Sequence, residues 1–172
     1  MSQKLLFIFL LWLSVWSGLR AQSNALRFDG TNDYVDLPDM PTTYDFSKGF
    51  SFTAWVKWDA FNGNGRLFEL TNGSGTTDNS IILRIENAGL LILQCANGTT
   101  NHEIRCDNVV VTTGKWYHVA ATISSSGESN IYVNGAVVKS GTTSAPVNVK
   151  RVNNWLGKSA WYNDYYFCGT MD

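Results

Sequence analysis

Phe50-Ser51-Phe52-Thr53-Ala54-Trp55-Val56-Lys57-Trp58 alternates without a break. Phe50, Phe52, Ala54, Val56 and Trp58 fall on one side, and Ser51, Thr53, Trp55 and Lys57 on the other. A period of two belongs to a β-strand with one buried face; a helix would group every third or fourth residue. Moving outward, no later segment carries a sustained helical pattern. Short runs predict strands at Ala25–Phe28, Tyr34–Leu37, Arg66–Leu70, Ile81–Ile85, Leu90–Gln94, Trp116–Ile123, Asn130–Val133, Ala136–Lys139 and Trp155–Gly157. Turn residues separate them. Asn134-Gly135 joins Ile131-Tyr132-Val133 to Ala136-Val137-Val138 as a two-residue hairpin, because both residues tolerate positive φ. Asn87-Ala88-Gly89 and Asn97-Gly98 mark two further hairpins, and Asp29–Asp33 a compact turn. The polar tracts 62–65 and 71–79 read as loops on the rim. Many short strands with Gly, Asn, Ser and Thr between them predict an all-β, two-sheet antiparallel sandwich.

Bulk numbers exclude several functions. Among 172 residues, 13 Lys and Arg face 14 Asp and Glu, for a net charge of −1. That balance offers no surplus to neutralise phosphates, so nucleic-acid binding has no electrostatic basis. A polybasic membrane patch is excluded on the same ground. The length suits one domain with a proper core.

The first residues predict a signal peptide over 1–21. Lys4 supplies the positive start, Leu5 to Trp16 is apolar apart from Ser14, and Leu19-Arg20-Ala21 ends in a small residue before Gln22. The apolar run is shorter than the roughly 20 residues that span a bilayer, so no membrane span is expected after cleavage. Residues 22–172 are then a secreted or cell-surface domain. Three cysteines would sit in an oxidising compartment. Cys95 and Cys106 flank the polar segment 96–105, read as the end of a hairpin, and form a disulfide if register brings them together. Cys168 is left over; the alternative is that the cysteines act as small buried hydrophobes.

Several motifs resemble laminin G-like domains of the concanavalin A-like lectin and glucanase group. They are Ala25-Leu26-Arg27-Phe28-Asp29-Gly30-Thr31-Asn32-Asp33-Tyr34-Val35, Phe52–Lys57, Gly114-Lys115-Trp116-Tyr117-His118-Val119-Ala120, Ile131–Gly135 and Asn154-Trp155-Leu156-Gly157-Lys158-Ser159. The resemblance implies a jelly roll that binds ligands at a rim or on its concave sheet. It also implies a structural calcium, with Asp29, the Gly30 carbonyl and Asp172 as ligands, since Ca²⁺ takes six to eight oxygens. The other reading of Asp29 is that it only bonds the backbone of its own turn. In the family a segment like Gly169-Thr170-Met171-Asp172 continues into a strand beside the first one. On that comparison this domain lacks its last strand and exposes a sheet edge.

The candidate binding residues are Trp161, Tyr162, Asn163 and Asp164, followed by Tyr165 and Tyr166. Sugars present C–H faces to aromatic rings and hydroxyls to amides and carboxylates. Alternating aromatics also build sandwich cores, so about half of these are expected to face inward. His118 reads as structural, and His102 lies too far off in sequence pattern to suggest a shared metal. Glycoside hydrolysis needs two carboxyls roughly 5 to 9.5 Å apart. Glu69, Glu86, Glu103 and Glu128 are isolated, and no motif organises a nucleophilic serine. Asn72-Gly73-Ser74 and Asn97-Gly98-Thr99 fit the glycosylation pattern. The expectation is a non-enzymatic extracellular module for carbohydrate binding or cell adhesion, assisted by calcium, with a glycan or surface protein as partner. The alternatives are a structural, protein-contacting unit of a larger surface protein or a non-catalytic appendage of a polysaccharide-degrading enzyme.

Overall fold

The computed structural model describes residues 24–73, 78–162 and 164–172. The predicted signal peptide and Asn163 lie outside the described residues, as does Ser74 of the first glycosylation triplet. Twelve strands follow one another: β1 (Leu26–Asp29), β2 (Val35–Asp36), β3 (Gly49–Ala60), β4 (Arg66–Thr71), β5 (Ile81–Glu86), β6 (Leu90–Asn97), β7 (Thr100–Arg105), β8 (Trp116–Ser124), β9 (Glu128–Val133), β10 (Ala136–Thr142), β11 (Asn153–Leu156) and β12 (Cys168–Met171). They form two six-stranded antiparallel sheets. Sheet A runs β1-β12-β3-β8-β9-β10 and sheet B runs β2-β11-β4-β5-β6-β7. Among the described residues no helix is long and apolar enough to cross a membrane.

The alternation of β3 holds residue by residue. Val56 and Trp58 are fully buried and Phe50 and Phe52 pack on Phe68 of sheet B, while Ser51, Thr53 and Trp55 face outward. Partners from β8 (Val119, Ala121, Ile123) and from sheet B (Leu70, Leu83, Leu91, Leu93) close the core. Each such side chain contributes about 1.5–3 kcal/mol on burial. The Asn134-Gly135 turn is as expected: φ is 51° and 81°, and Val133 pairs with Ala136.

Two expectations are corrected. Segment 100–105 is not a hairpin tip but the strand β7, turning back on β6 through Asn97-Gly98. Its register places Cys95 opposite His102, while the Cys106 amide bonds the Leu91 carbonyl. Four positions of extended chain separate the two sites along β6, about 13 Å. Cys95 and Cys106 therefore form no disulfide, and all three cysteines are free. Cys168–Met171 lies between β1 and β3, with Leu26 opposite Met171 and Lys57 opposite Thr170.

Candidate ligand-binding surface

Between β11 and β12 the chain crosses from sheet B to sheet A through residues 157–167. This loop is aromatic, yet its rings do not all point one way. Phe167 enters the core, edge-on to Phe28 at 5.5 Å. Tyr166 is half-buried against Tyr34. Trp161 is 40 % exposed, Tyr165 60 % and Tyr162 fully exposed. Of the cluster's four rings only Tyr166 is half-buried, while Trp161, Tyr162 and Tyr165 lie on the solvent side, so fewer face inward than the half expected. A depression of about 320 Å³ is lined by Lys158, Ser159, Ala160, Trp161, Tyr162, Asp164 and Tyr166.

What holds the loop is a buried polar cluster. Arg66 of β4 is almost wholly buried; its Nε donates to Glu69 Oε2 at 3.0 Å and its Nη2 to Asp164 Oδ2 at 2.6 Å. Ser159 Oγ donates to the same Asp164 oxygen at 3.1 Å and lies 3.3 Å from Glu69 Oε2, while the Trp161 amide donates to Ser159 Oγ at 3.0 Å. Burial pushes the Glu69 carboxyl above its ordinary value of 4.5, and the charge and hydrogen bond of Arg66 pull partly the other way. An Arg with two carboxylates and a hydroxyl leaves few polar atoms unpaired at this seam, as burial of charge requires. On the outer side the Lys158 ammonium sits 4.1 Å from the Tyr34 ring centre and 4.8 Å from that of Trp155. Two cation–π contacts thus clamp the start of the loop.

The sequence-predicted residues fare differently. Trp161, Tyr162 and Asp164 come together at the depression, but Asp164 serves first as the partner of Arg66. Lys158 and Ser159 line the depression too, and buried Arg66 and Glu69, with Tyr34 beside Lys158, support it, none of them having been singled out as a binding residue. The available signal was a charge opening the otherwise apolar run 66–70, with a second one three residues on. Of the proposed calcium ligands, Asp29 Oδ1 accepts the amide of Thr31 at 2.7 Å and that of Asn32 at 3.4 Å, which is the turn-bonding alternative. Asp29 pairs with Cys168 whereas Asp172 follows Met171, opposite Leu26. The two carboxylates stand at opposite ends of the β1–β12 ladder. Asp29, Gly30 and Asp172 are therefore not brought into one coordination sphere. His118 is a structural residue of the outer face of β8, with Nε2 2.7 Å from Thr53 Oγ1. His102 Nδ1 lies 3.1 Å from Ser144 Oγ. Glu86 and Glu103 are paired with Arg105 and Arg84.

A family model described as the concanavalin A-like lectin/glucanases superfamily matches residues 29–172. The chain belongs to that superfamily. No curated protein matches it in sequence. Among solved structures, the CBM40 of an intramolecular trans-sialidase from Ruminococcus gnavus, bound to α2,3-sialyllactose, is 17 % identical with a TM-score of 0.69; the match covers 87 % of this chain and 86 % of that one. Domain 4 of the extracellular arabinanase AbnA from Geobacillus stearothermophilus, in complex with arabinotriose, is 21 % identical with a TM-score of 0.63, covering 89 % and 69 %. The SAP-like pentraxin of Limulus polyphemus is 16 % identical with a TM-score of 0.56, covering 86 % and 72 %. At these identities the likeness to this superfamily member is one of fold.

Proposed function

We propose that this chain is an exported, non-catalytic carbohydrate-binding module whose ligand stacks on the loop 157–167. The observation that carries the reading is the exposure of the Trp161 and Tyr162 rings beside a depression whose floor is fixed by Arg66, Ser159 and Asp164. Rings supply the apolar face a sugar needs; Lys158, Ser159 and Asp164 supply donors and acceptors for its hydroxyls. The buried cluster holds those groups before the ligand arrives, which lowers the ordering cost of binding. Membership of a lectin-containing superfamily and likeness to modules solved with sialyllactose and arabinotriose support a glycan as the partner class. Export rests on the leader-like segment 1–21. The pairing of Glu86 and Glu103 with arginines supports a non-enzymatic role, since an ion-paired carboxylate is a poor proton donor.

A glycan array probed with the secreted protein, with and without EDTA, tests this reading and the calcium expectation together. Binding to at least one glycan class is expected, reduced tenfold or more in Trp161→Ala/Tyr162→Ala. Loss in EDTA would support calcium assistance. Equal signal in the double variant would remove this loop as the site.

A further inference from the structure

A second aromatic surface lies on the outer face of sheet A, away from the loop 157–167. Trp55 of β3 is 49 % exposed and Trp116 of β8 is 43 % exposed. Lys57 pairs with Trp116 and Trp55 with His118, so the two indoles are diagonal neighbours on one face. With Ala25 and Asp172 they line a depression of about 380 Å³. Both rings are buttressed. The His118 ring stands edge-on to Trp55 at 5.4 Å and is itself held by the Thr53 hydroxyl. The Lys57 ammonium lies 5.7 Å from the Trp116 ring centre. Large exposed rings on a regular strand contribute nothing to the core, and burial alone gives no reason for their position.

We propose that Trp55 and Trp116 form a second, independent sugar-stacking site for a neutral hexose unit of a polysaccharide. Stacking suits the chemistry because a pyranose offers an apolar C–H face to an indole and hydroxyls to its flanks. Lys57 and the Asp172 carboxylate flank the rings with opposite charges, so the lining favours a neutral ring over an ionised one. Size selects a sugar over a protein. The neighbouring outward positions are Ser51, Thr53, Ala120 and Thr122, short and mostly polar. Tyr132 of β9 and Val137 of β10 continue this face beyond Ala120, but the two indoles and these side chains together stay far below the roughly 800 Å² that each partner of a stable protein interface buries. The site goes beyond the loop surface and does not depend on it.

Affinity electrophoresis of the whole protein in native gels containing laminarin, galactan or arabinoxylan separates the two surfaces. Retardation by at least one of these polysaccharides is expected. It should persist in Trp161→Ala/Tyr162→Ala and fall at least fivefold in Trp55→Ala/Trp116→Ala. Trp55→Phe/Trp116→Phe, which keeps a ring and the fold, should retain an intermediate retardation. Migration unaffected by all three gels, or retardation lost in the loop variant and unchanged in both sheet variants, would overturn the proposal.

Discussion

The Arg66 guanidinium reaches Asp164 at 2.6 Å, tying the start of β4 to the aromatic loop across 98 positions of sequence. The pair does two jobs. It satisfies a cation whose side chain is only 5 % exposed, and it fixes the backbone that carries Trp161 and Tyr162.

Removing Asp164 therefore harms both stability and binding. Asp164→Ala leaves Arg66 with Glu69 and the Asn64 carbonyl. Breaking a fully buried pair costs roughly 3–5 kcal/mol, and the partial exposure of Asp164 reduces this to about 1–3 kcal/mol. Urea denaturation should show a lower midpoint at unchanged slope. Asp164→Asn, which keeps the shape and one acceptor, should lose less. An unchanged midpoint in the alanine variant would mean the pair does not anchor the loop.

Glu69 gives stability a particular pH dependence. Burial raises its carboxyl above 4.5, so the folded protein holds this proton more tightly than the unfolded chain does. The contribution is fully present below pH 4.5 and is lost as pH rises through the raised value. Glu69→Gln has no such proton. The stability difference between wild type and variant, measured by chemical denaturation from pH 4 upward, should move in favour of the variant as pH increases. A difference constant across that range, or moving the other way, would contradict the burial of an ionising Glu69.

The cysteines should behave as three thiols. Cys95 is fully buried and burial pushes its thiol up to about 11, so it reacts slowly in the native state. Cys168, half-buried in β12, should be modified first. Titration with a thiol reagent in denaturant should count three, and adding reductant should leave the melting temperature unchanged. A count of one, with a melting temperature that drops on reduction, would restore the Cys95–Cys106 bridge.

That bridge shows where sequence reading ends. In β3 and β8 the buried face repeats every second residue, and the fold class follows from the pattern. In β7 only Ile104 is buried, so Thr100–Arg105 carries no period to read. Register is harder still. It is set by where Asn97-Gly98 turns the chain, and a turn two residues away would have changed every partner of Cys95. The functional surface divides in the same way. Trp161 and Tyr162 form a local cluster visible in the sequence, whereas Arg66 meets Asp164, and Ser159 meets Glu69, only through folding. Contacts across 90 or more positions leave no local trace. The calcium ligands named from the motif were separated for a related reason: antiparallel pairing sends Asp29 and Asp172 to opposite ends of their ladder.

The β5–β6 hairpin offers a pair of substitutions with opposite signs. Ala88 and Gly89 both adopt left-handed φ, 74° and 79°. For Ala88 this conformation places Cβ against the following carbonyl, at a cost of about 1–2 kcal/mol relative to glycine. The greater freedom of glycine in the unfolded chain offsets part of it, and Ala88→Gly should stabilise by about 0.5 kcal/mol. Gly89 has no such latitude. A Cβ there would lie 2.2 Å from the Val111 carbonyl oxygen, backbone that the Val110 amide already ties to the Gly89 carbonyl. Gly89→Ala should therefore lower the urea midpoint by more than Ala88→Gly raises it, with a cost of about 2 kcal/mol or more. Equal and small effects at the two positions would mean that segment 110–111 does not pack against the hairpin as found.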